Sequence, residues 1–295
     1  MEDHRIHIAI ASGKGGTGKT TLATNLSVAL ARKGMTVTYA DCDVEEPNGH
    51  LFLPPDPEKQ DEISVMIPVV DETACNSCGI CAAICEFNAL AVMAGKFLVF
   101  PSLCHGCGAC VALCPERALS DGLRPIGLIH SGPVRGLSFI GGNLNVGEAQ
   151  APPLIKAIKK RIADTKLAIL DAPPGTSCPV IEAVRGADYV VLVTEPTPFG
   201  LNDLRLAVSM LREIQIPFGV VINRCDIGNS LVKDYCETEA LTILAELPFS
   251  RDVARAYASG HLAIDLDKDF ENLLLNLFEK IHRETANVRT GSSER

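Results

Sequence analysis

The chain has 295 residues, of which 47 % are hydrophobic, enough to bury a substantial core in one large domain or two small ones. Its 27 basic and 36 acidic residues give a net charge of −9 and a pI of about 5.3, which argues against a general nucleic-acid surface. No run of 18 apolar residues marks a transmembrane helix and no secretory leader pattern precedes the first apolar run, so the chain reads as cytoplasmic, where 12 cysteines point to metal rather than to disulfides.

The first element is an apolar, β-branched strand, Ile6-His7-Ile8-Ala9-Ile10, which leads into Gly13-Lys14-Gly15-Gly16-Thr17-Gly18-Lys19-Thr20-Thr21. Gly13 to Thr20 fits G-x-x-x-x-G-K-[ST] between a strand and a helix, the context in which that pattern cradles phosphates. Backbone N–H groups and the helix N-terminus attract the anion. Lys19 is expected on the β/γ-phosphates of ATP and Thr20 on Mg²⁺. A helix is predicted from Lys19 to Lys33, with Leu22, Leu26, Ala29 and Leu30 on its buried face and Gly34 ending it. Thr36 to Ala40 reads as a second strand that delivers Asp41-Cys42-Asp43 to its carboxyl end, where open α/β sheets place their chemistry. Residues 47–62 lose periodicity, with Pro47, Pro54, Pro55 and Pro57 among clustered charges, and read as a linker.

The linker leads into an inserted module, residues 63–122, between two parts of a first domain, 1–62 and 123–295. The insert holds two matching runs, Cys75-x₂-Cys78-x₂-Cys81-x₃-Cys85 and Cys104-x₂-Cys107-x₂-Cys110-x₃-Cys114-Pro115. This is the spacing of bacterial two-cluster ferredoxins, in which the fourth cysteine of each run ligates the other cube. It predicts two [4Fe–4S] clusters, one on Cys75, Cys78, Cys81 and Cys114, the other on Cys104, Cys107, Cys110 and Cys85. Zinc would want four ligands in wider pairs. Glu86 stands where the second run has Pro115.

Beyond the insert, Lys166 to Asp171 reads as a third strand ending in an aspartate and followed by Ala172-Pro173-Pro174-Gly175. Tyr189 to Thr194 is a fourth strand, and a helix carries Leu201, Leu204, Val208 and Leu211 on one face. Gly219 to Asn223 is a fifth. Cys178 reads first as a small buried residue, with a redox or metal contact as the alternative, and Cys42 as core. A last helix is expected over residues 267–283, packing into the core through Phe270, Leu273, Leu274, Leu277, Phe278 and Ile281, with a polar tail from Asn287. The fold class expected is α/β: a mostly parallel sheet with helices on both faces, plus a small α+β ferredoxin-like insert.

Lys14 adds a second lysine to the loop, giving Lys-Gly-Gly-Thr-Gly-Lys-Thr. The whole from residue 5 to 283 resembles the deviant Walker A ATPases of the MinD/ParA/Mrp group. The resemblance implies an ATP-dependent dimer, with a second copy or a related ATPase, in which Lys14 reaches the nucleotide of the other subunit. It further implies that Asp43 positions Mg²⁺ and the attacking water, with Asp41 in support. Asp171 would hold Mg²⁺ through water, the Gly175 amide would sense the γ-phosphate, and Asn223 and Pro248 would line the adenine pocket. Three tasks fit this combination: slow ATP hydrolysis coupled to electron transfer toward a redox protein, spatial organisation of a partner, or carriage of iron–sulfur clusters. Two paired clusters form a relay and favour the first. Cys225 and Cys236 form no C-x-x-C pair of the kind carriers use, which counts against the third.

Overall fold

The computed structural model describes residues 5–292. The chain opens with β1 (Ile6–Ser12), wholly buried, and α1 (Lys19–Arg32), whose Leu22, Ala23, Leu26, Ala29 and Leu30 face inward. Strand β2 (Val37–Asp41) follows. Next, β3 (Lys59–Val70) leads into the segment read as an insert, which holds α2 (Ile80–Ala83), a hairpin of β4 (Leu90–Met93) and β5 (Lys96–Val99), and α3 (Ala109–Ala112). The long β6 (Leu119–Val134) brings the chain back, and β7 (Leu137–Leu144) turns into the sheet.

The second half alternates helix and strand: α4 (Ala151–Ile162), β8 (Leu167–Pro174), α5 (Cys178–Val184), β9 (Tyr189–Thr194), α6 (Pro198–Glu213), β10 (Phe218–Asn223), α7 (Leu231–Thr238), β11 (Ile243–Leu247), α8 (Arg251–Ala258) and α9 (Lys268–Ser292). One nine-stranded sheet results, in the order β11-β10-β9-β1-β8-β2-β7-β6-β3. Every neighbouring pair from β11 to β7 is parallel, while β6 is antiparallel to both β7 and β3. Helices α4 to α7 cover one face around Leu154, Ile155, Val180 and Leu204. Helices α1 and α9 cover the other around Leu26, Leu30, Leu274 and Ile281, which is the core packing expected of the last helix. Two-sided burial explains why the parallel strands read as unbroken apolar runs.

Differences from the sequence expectation have local causes. The segment read as a linker to residue 62 already contains the start of β3 at Lys59, because β3 is the sheet edge and Lys59 to Glu62 are exposed; edge strands carry charge without losing their pairing. Strands β3 and β6 cross the boundaries expected at 62/63 and 122/123 in one register, Lys59↔Ser131 to Val70↔Leu119 with a shift at Ile63/Ser64, so the insert grows from the sheet itself. Helix α9 passes its expected end at Arg283 and runs to Ser292, so much of the expected tail is helical, with residues 293–295 outside the described residues. Among the described residues no helix is long and apolar enough to cross a membrane.

Candidate functional site

The sheet sets the site. Strand β1 lies between β8 and β9, and the chain leaves it toward β2 on one side while β9, β10 and β11 build the other. At such a reversal the loops at the carboxyl ends diverge and open a crevice. The crevice here is a cleft of about 450 Å³, lined on the phosphate side by Gly15, Gly16, Gly18, Lys19, Thr20 and Thr21, with Asp43, Asn223 and Pro248 beside them. Tyr257, Phe270 and Leu273 supply an apolar wall. That volume is in the range of small-molecule sites.

Gly18 ends the loop with φ +95 beside Asn223, where a Cβ would come within 2.6 Å of Asn223 Nδ2. Asn223 Nδ2 donates to the Thr17 carbonyl at 2.8 Å, so the expected adenine-side residue also holds the loop. Gly13 is pressed on α6, with no room for a Cβ against the Asp203 carbonyl. Lys19 begins α1 and is 7 % exposed; burial lowers its pKa, opposed by Asp171, Asp43 and Asp41.

Those carboxylates converge from the end of β2 and from within β8, which runs past its expected end at Asp171 to Pro174. Asp41 is buried and accepts from the amides of Gly49 at 2.8 Å and Asp43 at 3.1 Å. Its pKa is raised, chiefly by burial and then by Asp171. Asp171 is buried too; burial raises its pKa, while Thr20, Lys19 and the Tyr39 hydroxyl, which donates to Oδ2 at 3.1 Å, act against the rise. Burial pushes Asp43 up to about 6, with Asp171 adding to the rise and Lys19 opposing it. Asp171 Oδ1 and Thr17 Oγ1 are buried without a hydrogen-bond partner. Excess negative charge, an orphaned carboxylate oxygen and the Thr20 hydroxyl make a donor set that suits a hard cation.

Lys14 stands apart from the cleft. Its Nζ lies 3.4 Å from Glu195 Oε2, and Arg224 Nη1 lies 2.8 Å from Glu195 Oε1. The Gly175 amide, expected to sense a phosphate, donates to the Ser12 carbonyl at 2.9 Å and so ties the loop after β8 to the end of β1. Tyr39, Glu195 and Arg224 escaped the sequence reading; for Glu195 the signal was an acid immediately after a buried strand. Cys178 is exposed at the start of α5, which corrects its reading as a buried residue: a helix N-terminus beside a glycine loop faces outward. Cys42 is fully buried as expected, and burial raises its thiol pKa.

The insert holds two small, mostly apolar hollows. Cys75, Cys78, Cys81 and Cys114 line one; Cys85, Cys104, Cys107 and Cys110 line the other. Each hollow thus takes three cysteines from one run and the fourth from the opposite run. The halves are built alike. Gly79 and Gly108 are left-handed at φ +79 and +74 before α2 and α3, and Cys85 and Cys114 Sγ accept from the amides of Ala89 and Ala118, both at 3.3 Å. Leu90, Cys110 and Leu119 form a small core between them. Among the described residues no group of three or more His, Cys, Asp or Glu is spaced for a metal ion. A four-iron cube sets its thiolates at its corners, farther apart than one ion does.

A model of the CobQ/CobB/MinD/ParA nucleotide-binding domain matches residues 8–264. An uncharacterized protein of Methanocaldococcus jannaschii is 33 % identical over 276 residues, 93 % of this chain and 95 % of that one. An iron–sulfur cluster carrier protein of Pyrococcus horikoshii is 25 % identical, covering 96 % of this chain and 87 % of that one. Among solved structures, the septum site-determining protein MinD of Pyrococcus horikoshii, complexed with Mg-ADP, superposes with a TM-score of 0.59 at 19 % identity, over 94 % of this chain and 96 % of that one. A family match across 8–264, on a parallel sheet that ends in a phosphate loop, places the chain in the CobQ/CobB/MinD/ParA nucleotide-binding family.

Proposed function

We propose that the protein is an ATP-hydrolysing, ATP-dimerising switch that carries two [4Fe–4S] clusters in its insert and couples nucleotide state to electron transfer. The observation that carries the reading is the sorting of eight cysteines into two hollows in the crossed pattern of a two-cluster ferredoxin, on a family ATPase core. Bound there, the clusters would each pass one electron at a time.

The remaining roles belong to the chain. Lys19 meets the β/γ-phosphate charge, and the N-terminus of α1 adds its dipole. Thr20 and Asp171 would hold Mg²⁺. Asp43 would orient the attacking water, and Asp41, fixed by two amides, holds the Asp43 backbone. Tyr39 fixes one oxygen of Asp171 and leaves the other for the cation's water shell. Asn223 and Pro248 flank the base. Lys14, once released from Glu195, is free to act across a dimer.

A carrier role has the support of relatives with that name, at 25 % identity. Against it, Cys225 and Cys236 form no C-x-x-C pair. The test is electron delivery from the reduced full chain to a one-electron acceptor, followed beside ATP hydrolysis. Delivery that rises with ATP and not with ADP supports the reading. Clusters that leave intact for an apo-protein, with no nucleotide effect on electron delivery, support the carrier.

A further inference from the structure

We propose that the segment from Leu144 to Gln150 links the nucleotide site to one cluster only, the one on Cys85, Cys104, Cys107 and Cys110. The inference rests on the function proposed above. The two hollows are unequal in their ties to the sheet. Met66 and Pro68 line this inner one, and Leu119, paired with Val70, lines the outer one, two to four strand residues farther along β3. At about 3.3 Å per residue these positions are offset by roughly 7 to 13 Å along the strand.

The inner loop is bonded to the core. Gln150, 7 % exposed at the head of α4, donates through Nε2 to the Cys104 carbonyl at 3.0 Å and to the Ser102 carbonyl at 3.5 Å. Its own amide is held at 3.0 Å by Glu148, whose other carboxylate oxygen pairs with Arg124. At the far end of the segment the Leu144 amide donates to the Val44 carbonyl at 2.9 Å. Val44 directly follows Asp43. Between the ends, the Asn145 amide donates to the Ile126 carbonyl and the Glu148 amide to the Asn145 carbonyl, both at 2.9 Å. Seven residues, pinned along their length, therefore join the backbone beside Asp43 to the backbone of a cluster cysteine.

Among the described residues the outer loop has no such tie. The hydrogen bonds described for residues 71–81 stay within the insert: Asp71 to Ala118, Asn76 to Glu116, Ser77 to Gly95. Coupling needs a physical element that both sites bias, and the pinned segment is one. A shift of the backbone at Asp43 on nucleotide binding would move Leu144, and through Gln150 the carbonyl beside the Cys104 thiolate. Hydrogen bonding and dipoles around cluster sulfurs set the potential. Gln150 is a positioning residue in this scheme and touches neither nucleotide nor cluster thiolate.

The test is an EPR-monitored redox titration of the full holo-protein with ADP, with a non-hydrolysable ATP analogue and with neither, on the wild type, Gln150→Met and Glu148→Gln. The inner signal is identified as the one lost in Cys107→Ala. The expected result is an inner-cluster shift between ADP and analogue equivalent to about tenfold in nucleotide affinity, about 59 mV for one electron. The outer cluster should stay put, and both variants should shrink the inner shift at least about threefold while keeping iron content and nucleotide binding. Reciprocity requires reduction of the inner cluster to change analogue affinity by the same factor. An equal shift at the outer cluster, no shift at either, or a full shift in both variants overturns the link. A chain without about eight iron, or one that binds no ATP, overturns the underlying function instead.

Discussion

Lys14 is bound to Glu195 of its own chain, Nζ to Oε2 at 3.4 Å, and Arg224 holds the other oxygen of the same carboxylate at 2.8 Å. A lysine that serves a partner's nucleotide must first leave this contact. Glu195→Gln should therefore ease ATP-dependent dimerisation by roughly fivefold in dissociation constant, since a partly exposed ion pair is worth about 1 kcal/mol. Lys14→Ala should keep the monomer folded and lose the ATP-dependent dimer. Sedimentation velocity with ATP checks both, and equal dimer formation by Lys14→Ala would remove the role of Lys14 across the interface.

Lys19→Ala removes the buried charge that faces the phosphates. ATP affinity should fall on the order of a hundredfold, the value of about 3 kcal/mol for charge-assisted hydrogen bonds. Calorimetric titration with Mg-ATP checks it, and wild-type affinity would sink the assignment of the loop.

The state of Asp43 makes the site sensitive to pH. Burial pushes its carboxyl up to about 6 from an ordinary 3.8. The native nucleotide-free chain therefore holds this proton more tightly than the unfolded chain. The stability it contributes is full below the unfolded value and is lost as pH rises through about 6. Asp43→Asn should raise the melting temperature of the nucleotide-free protein at pH 7.5 and narrow the difference between pH 5 and pH 7.5. Turnover runs the other way: wild-type hydrolysis at fixed Mg-ATP should fall as pH drops through about 6, because the role assigned to Asp43 needs the carboxylate. Asp43→Asn should bind ATP and lose most turnover at every pH.

Cys114→Ala should damage the cluster of Cys75, Cys78 and Cys81, although Cys107 and Cys110 are nearer in sequence. The outer hollow contains Cys114 and the inner one does not. Low-temperature EPR and iron content, beside Cys107→Ala, check the crossing. Loss of the same signal in both variants would mean sequential ligation.

Elements built from local patterns were legible in the sequence. The glycine loop after β1, Asp41 at the end of β2, Asp171 within β8 and the two cysteine runs are local patterns, and the parallel strands announce themselves by two-sided burial. The antiparallel edge was hidden. Lys59 to Glu62 of β3 are exposed and charged, so they look like a loop until pairing with β6 is seen. Contacts between distant segments were hidden for another reason. Glu195 meets Lys14 across 181 residues and Gln150 meets Cys104 across 46, and no local period encodes either. Cys178 misled because a free cysteine is commonly buried, while its position at a helix start turns it outward.

Spectroscopy and metal analysis of the full chain, purified and reconstituted without oxygen, test the central claim most directly. The account predicts about eight iron and eight sulfide per chain. On reduction it predicts two [4Fe–4S]⁺ EPR signals, one from each hollow. A single cluster, or zinc in place of iron, would contradict it.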